Sequence, residues 1–139
     1  MSLHAGSCRC GAVRFEAAAD PHHISYCHCE DCRRATGAPV SAFVGFRDDQ
    51  VSFDGQALKR FENGPVSRSF CADCGSPVAY VDTRLEGEIY FMLGAMRQPA
   101  LYQPTQHAYV REQLPFVHMP DGLPRHLKGS VPRPNGNAR

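Results

Sequence analysis

The chain alternates before it does anything else. In "GAVRFEA" the apolar Val13, Phe15 and Ala17 interleave with Arg14 and Glu16, the period of a strand with one buried face. "VSAFVGF", "QVSFDG", "LKRFE", "SRSFC", "VAYVD" and "EIYFML" follow. Each is short, rich in β-branched and aromatic residues, and bounded by Gly, Pro, Asp or Asn. "HAYVRE" reads as a further strand. Only "EDCRRAT", residues 30–36, has the look of a helical turn, with Gly37 and Pro39 to end it. The pattern predicts a mainly β domain. From Pro120 onward prolines are frequent and large apolar residues few. The segment is therefore expected to be irregular, with about the last ten residues mobile.

The 139 residues suit one domain with one core, and 42% hydrophobic residues is ordinary for a globular chain. No apolar run approaches a membrane span, and "MSLHAGSCRC" lacks a basic stretch followed by an apolar one. The expected setting is therefore cytoplasmic, with reduced thiols and no membrane partner. Formal charge is +1; seven thiolates with two zinc dications would take it to −2. Neither value suits a nucleic-acid partner.

The seven cysteines change the picture most. They fall into three groups: Cys8 and Cys10; Cys27, Cys29 and Cys32; and Cys71 and Cys74, followed by Gly75. An odd count, in a chain expected to keep its thiols reduced, argues for metal rather than a disulfide framework. Two partitions fit the spacing. Cys8, Cys10, Cys71 and Cys74 could close one tetrahedral zinc while Cys27, Cys29 and Cys32 hold another. Alternatively, Cys29–Cys32 and Cys71–Cys74 could pair, leaving Cys8, Cys10 and Cys27 over. Spacing does not decide, although the first leaves no thiol orphaned. Closed sites have four protein ligands and catalytic ones usually three. The triad is thus either an open site or a second structural knot completed by His28, another histidine or water.

The motifs G-S-C-x-C-G (6–11), C-H-C-x-D-C-R (27–33), "TGAPVSAFVGF", F-C-x-x-C-G (70–75) and "MPDGLPRH" resemble the glutathione-dependent formaldehyde-activating enzyme family, shared with centromere protein V. The resemblance covers roughly residues 4–127, leaving 128–139 as a tail. It implies a small zinc-stapled β-sheet domain with an Mss-four-like fold and two Zn²⁺ ions. Cys8, Cys10, Cys71 and Cys74 would hold the structural ion; Cys27, Cys29 and Cys32 would hold the catalytic one. It implies a carbon–sulfur lyase joining a small thiol and an aldehyde, with S-hydroxymethylglutathione formed from glutathione and formaldehyde as the prototype. Relatives often carry a Trp before the "DGLP" segment; this chain has none, and Phe116 sits nearby. A non-catalytic binding module and a zinc or thiol-redox sensor are the competing readings.

Around the triad, Arg33 and Arg34 are candidates to hold a substrate carboxylate. They could equally pair with Glu30 or Asp31 or offset the cluster's charge. His28, Glu30 and Asp31 are the nearest acid–base candidates. For Glu30 and Asp31 the plainer role is facing solvent or capping the helix. Ser41, Phe43 and Phe46 could line a pocket, although Phe in a strand is more often core. His4, His22, His23, His107, His118 and His126 show no ligand spacing and are expected to be ordinary surface or hydrogen-bonded histidines.

Overall fold

A computed structural model describes residues 3–132. The expected mobility of the last residues falls mainly on 133–139, outside that range. Ten strands form two sheets: β1 His4–Ser7, β2 Arg14–Ala17, β3 His23–Cys27, β4 Ser41–Arg47, β5 Val51–Asp54, β6 Leu58–Asn63, β7 Val66–Cys71, β8 Pro77–Asp82, β9 Glu88–Met92 and β10 His107–Ala108. A three-stranded sheet runs β1-β2-β5, and a seven-stranded sheet runs β10-β3-β4-β9-β8-β7-β6. The helix α1 spans Glu30–Thr36, with Gly37 in the left-handed conformation closing it. The protein is mainly β, as the alternation predicts.

Two strands escape the pattern. β1 ("HAGS") and β3 ("HISYC") are short and mix small, polar and apolar residues, and their pairing with β2 and β4 defines them. "HAYVRE" is a correction in the other direction. Its strand ends after Ala108, because Tyr109 adopts a positive φ of 56° and the chain then makes a short 3₁₀ turn over Val110–Glu112.

Strand β4 shows why a nearly continuous apolar run is needed at the centre. Its even positions, Val44 and Phe46, face Phe91, Ile89, Phe15 and Val13 in the core between the sheets. Phe15 and Phe91 stack with ring centroids 3.8 Å apart. Aromatic contacts of this kind add to plain area burial. The odd positions of β4 face away from that core, and the candidate site is built there.

Candidate metal centres and cavity

The sheet register sets one face of the site. His23 pairs with Gly45, Gly45 with Tyr90, Tyr90 with Tyr80 and Tyr80 with Arg68, across β3, β4, β9, β8 and β7. Cross-strand partners point to the same side, so His23, Tyr90, Tyr80 and Arg68 form a row. Gly45 is the gap in it: a Cβ there would lie 2.6 Å from the Tyr90 ring. One step along β3, Ser25 pairs with Phe43, and one step further Cys27 pairs with Ser41. Above this face lie α1, Tyr109 and the segment 129–131. Together they wall a cavity of about 70 Å³ that stays open to solvent on one side. Its lining includes Cys27, Cys29, Cys32, Phe43, Arg68 and Tyr80.

The three thiols reach the cavity by a local device. Cys27 ends β3, Cys29 is the N-cap of α1, and Cys32 sits in the first helical turn. The Cys32 N–H donates to the Cys29 sulfur at 3.3 Å. The Cys27 sulfur lies 3.4 Å from those of both Cys29 and Cys32. A disulfide needs about 2.05 Å. The edge of a tetrahedron of sulfurs around zinc is about 3.8 Å at a zinc–sulfur distance of about 2.3 Å. All three residues are buried, and all three sulfurs lie within 4.8 Å of one another.

Cys8, Cys10, Cys71 and Cys74 form the other group, again within 4.8 Å. Cys8 and Cys10 follow β1, while Cys71 ends β7 and Cys74 lies in the turn to β8, where Gly75 has φ 76°. Cys10 stands 3.7 Å from Cys8 and 3.8 Å from Cys71. The structure thus brings together the four thiols of the first partition and separates them from Cys27, Cys29 and Cys32. Cys8 and Cys71 belong to the core between the sheets, whereas the triad belongs to a second cluster on the opposite face.

Both donor sets fit a soft or borderline dication. Without one, Cys27 and Cys32 of the triad resist ionising, while the four-thiol group divides, with Cys8 and Cys74 lowered and Cys10 and Cys71 raised. Hydrogen bonds with Cys29 and Cys32, and then burial, push the Cys27 thiol well above its ordinary range. A bond with Cys27 pulls Cys32 down, but the Cys29 sulfur, burial and the Cys29 charge outweigh it and raise Cys32 to about 11. In the four-thiol group the Ser76 hydroxyl and N–H bring Cys74 down to about 5. The Ala12 N–H favours the Cys10 thiolate, yet burial and the neighbouring sulfurs push Cys10 up to about 12. Neighbouring sulfurs crowd one another's charge in both groups, and a cation among them would relieve that repulsion.

Arg33 and Arg34 do not line the cavity. Arg33 donates to the carbonyls of His28 and Glu112, both at 2.6 Å, and so ties the thiol loop to the 3₁₀ turn. Arg34 pairs with Glu30 at 2.9 Å on the surface. The cation in the lining is Arg68, which sequence reasoning missed. Its Nη2 donates to Asp31 at 2.8 Å and to the Cys32 sulfur at 3.5 Å, and its guanidinium lies 4.9 Å from the Tyr80 ring centre. Strand alternation places Arg68 opposite Ser67 and Ser69, but only the register brings it to the thiols. Phe43 lines the cavity, Phe46 is core, and Ser41 is buried beside Cys27.

His28 points away from the cavity. His107 Nε2 donates to Asp121 at 2.8 Å, which leaves His107 Nδ1 to accept from His28 Nε2 at 2.9 Å. Burial and the facing His107 hold His28 down to about 4. The "MPDGLPRH" segment therefore acts through Asp121, pinning the residue between Cys27 and Cys29 so that those two face the other way. His4, His22, His23 and His126 make hydrogen bonds or ion pairs, as expected of ordinary histidines.

The fold and the two thiol groups define a cysteine-rich β domain with two thiol clusters whose sulfurs lie close enough to hold a metal ion each. The chain belongs to the glutathione-dependent formaldehyde-activating enzyme family, whose model matches residues 3–112. It is 30% identical over 83 residues to an uncharacterized lyase of Schizosaccharomyces pombe, a match covering 60% of this chain and 61% of that protein. It is 31% identical over 88 residues to a Halomonas elongata protein provisionally named as a glutathione-dependent formaldehyde-activating enzyme, covering 57% of this chain and 56% of that one. The matches thus span less than two thirds of either relative. A crystal structure of a Rhodobacter sphaeroides protein shares the fold, with a TM-score of 0.55 and 20% identity over 88% of this chain and 98% of that one. Among the described residues no helix is long and apolar enough to cross a membrane.

Proposed function

We propose that the protein is a zinc-dependent carbon–sulfur lyase that makes and breaks the adduct between a small thiol and an aldehyde. Glutathione with formaldehyde is the first pair to test. The observation that carries this reading is the placement of Cys27, Cys29 and Cys32: three buried thiols, within 4.8 Å of one another, lining a cavity. Cys8, Cys10, Cys71 and Cys74 would hold a structural zinc, and the triad a catalytic one. A zinc ion with three protein ligands supplies Lewis acidity and favours the thiolate form of an incoming thiol.

The chain's own residues account for the rest. In the forward direction the thiol S–H adds across the aldehyde C=O, forming C–S and O–H bonds; the reverse step undoes both. Phe43, Leu85, Tyr80 and Tyr90 would surround the reacting atoms with mostly apolar surface. Arg68 sets a positive charge against the Cys32 sulfur, and Asp31 holds the guanidinium there. Asp121, His107 and His28 fix the loop that aims Cys27 and Cys29.

The test is exchange NMR on zinc-loaded protein with formaldehyde and glutathione, repeated with simpler thiols. The proposal expects faster exchange than in a protein-free control and loss of that gain in Cys29→Ser. If no thiol–aldehyde pair is accelerated, the lyase reading is wrong.

A further inference from the structure

The segment just beyond "MPDGLPRH" forms one wall of the cavity. Lys128 accepts from the Tyr109 N–H at 2.9 Å, and Gly129, Ser130 and Val131 then lie over the thiols. The hydrogen bonds that hold Ser130 run in one consistent direction. Gln106 Nε2 donates to His23 Nδ1 at 3.3 Å, and His23 Nε2 donates to Ser130 Oγ at 2.9 Å. Ser130 Oγ donates to Ser25 Oγ at 3.2 Å, and Ser25 Oγ donates to the Tyr26 and Gln106 carbonyls at 2.9 and 3.3 Å. Burial, with the neighbouring His22 charge, lowers His23, so the neutral ring this chain of bonds requires is the favoured form. The wall is therefore fixed by donors and acceptors that satisfy one another, and Val131 packs against the thiol cluster from it.

The space left is small and apolar. A cavity of about 70 Å³ is far below the roughly 300–1,000 Å³ typical of sites that engulf a drug-sized ligand. Aromatic and aliphatic side chains make up most of its lining, among them Phe43, Tyr80, Leu85 and Val131, and its uncharged polar members His23, Ser25 and Ser130 are already bonded to one another. Its cation, Arg68, is already paired with Asp31. A thiol's sulfur and one or two carbons fit; for the carboxylates of a tripeptide the lining offers, among the described residues, only Arg68, already held by Asp31, and His23, already bonded to Gln106 and Ser130.

We propose that the Gly129–Val131 wall restricts this site to thiol adducts with a small, apolar reacting end, that the tripeptide part of glutathione is not read, and that Val131 sets the size limit. This rests on the thiol-adduct reading above. The test compares kcat/KM for the formaldehyde adducts of 2-mercaptoethanol, glutathione and benzyl mercaptan, in the wild type, Val131→Ala and Ser130→Ala. A parallel arm measures the Kd of each free thiol by NMR, following the methyl signals of Leu85 and Val131, or of Leu85 alone in Val131→Ala. In the wild type the 2-mercaptoethanol adduct should equal or exceed the glutathione adduct. Val131→Ala, which opens space for a bulkier apolar group, should improve the benzyl adduct about tenfold relative to the small one. Ser130→Ala, which frees the wall, should shift the ratio the same way. A glutathione adduct favoured tenfold or more, or selectivity unmoved by Val131→Ala, overturns the proposal. If no adduct is turned over, the lyase reading falls by itself and binding decides: equal Kd values for the three thiols sink the size limit, while a preference for the smallest that Val131→Ala relaxes sustains it.

Discussion

The two thiol groups are chemically alike and architecturally opposite. Cys8 and Cys71 lie in the core between the sheets, and their group joins segments 61 residues apart. Cys27, Cys29 and Cys32 lie within six residues of sequence on the other face of the large sheet, against a cavity. A cation in the first group would close a long loop and hold β1 to the turn after β7. A cation in the second would close almost nothing but would meet whatever enters the cavity. On the proposed function, position rather than ligand type would separate a staple from a reaction centre.

The sharpest way to break this comparison is to remove one thiol from each group. Cys71→Ser should leave the chain largely unfolded, because metal binding contributes about 10 kcal/mol or more to folding where it closes such a loop. Circular dichroism and thermal melting read this out. Cys29→Ser should leave a folded protein with one metal equivalent fewer by elemental analysis and with no lyase activity above control. Equal unfolding in both would make the triad a second staple.

What the sequence could and could not say follows the same division. The three cysteine groups and α1 were legible because each is local: short spacings, a helix over residues 30–36, a glycine to end it. Strands β1 and β3 were not, since four or five residues with little apolar alternation become a strand only through their partners. Nor were Arg68, Tyr80, Tyr90 and the Gly129–Val131 wall. The first three come from separate strands that meet through register, and the wall from a fourth stretch that packs over them; neither is visible before the sheet is known. Arg33 and Arg34 were conspicuous because they adjoin the thiols, yet one serves two backbone carbonyls and the other an exposed ion pair.

Smaller effects sharpen the cavity side of the comparison. Gly45→Ala places a Cβ against the Tyr90 ring and should cost about 1–3 kcal/mol by denaturant unfolding, with altered thiol selectivity, because the row His23–Tyr90–Tyr80–Arg68 must shift. His28 should remain neutral until about pH 4, below its ordinary 6.5. As pH falls the unfolded chain takes that proton first, so the stability tied to neutral His28 is complete above about 6.5 and is lost as pH falls toward 4. Denaturant midpoints at pH 7 and pH 5 should therefore differ more in the wild type than in His28→Gln. Arg34→Ala removes an exposed pair and should change stability by no more than about 0.5 kcal/mol, with activity intact.

The central claim is that the four-thiol site is closed and the three-thiol site meets the cavity. Cadmium-113 NMR of the cadmium-loaded chain, titrated with 2-mercaptoethanol, reads both sites at once. Two signals are expected; added thiol should move one and leave the other, and the signal that moves should be the one missing in Cys29→Ser. Two signals that both ignore the thiol, or a thiol-sensitive signal that survives in Cys29→Ser, would contradict the account.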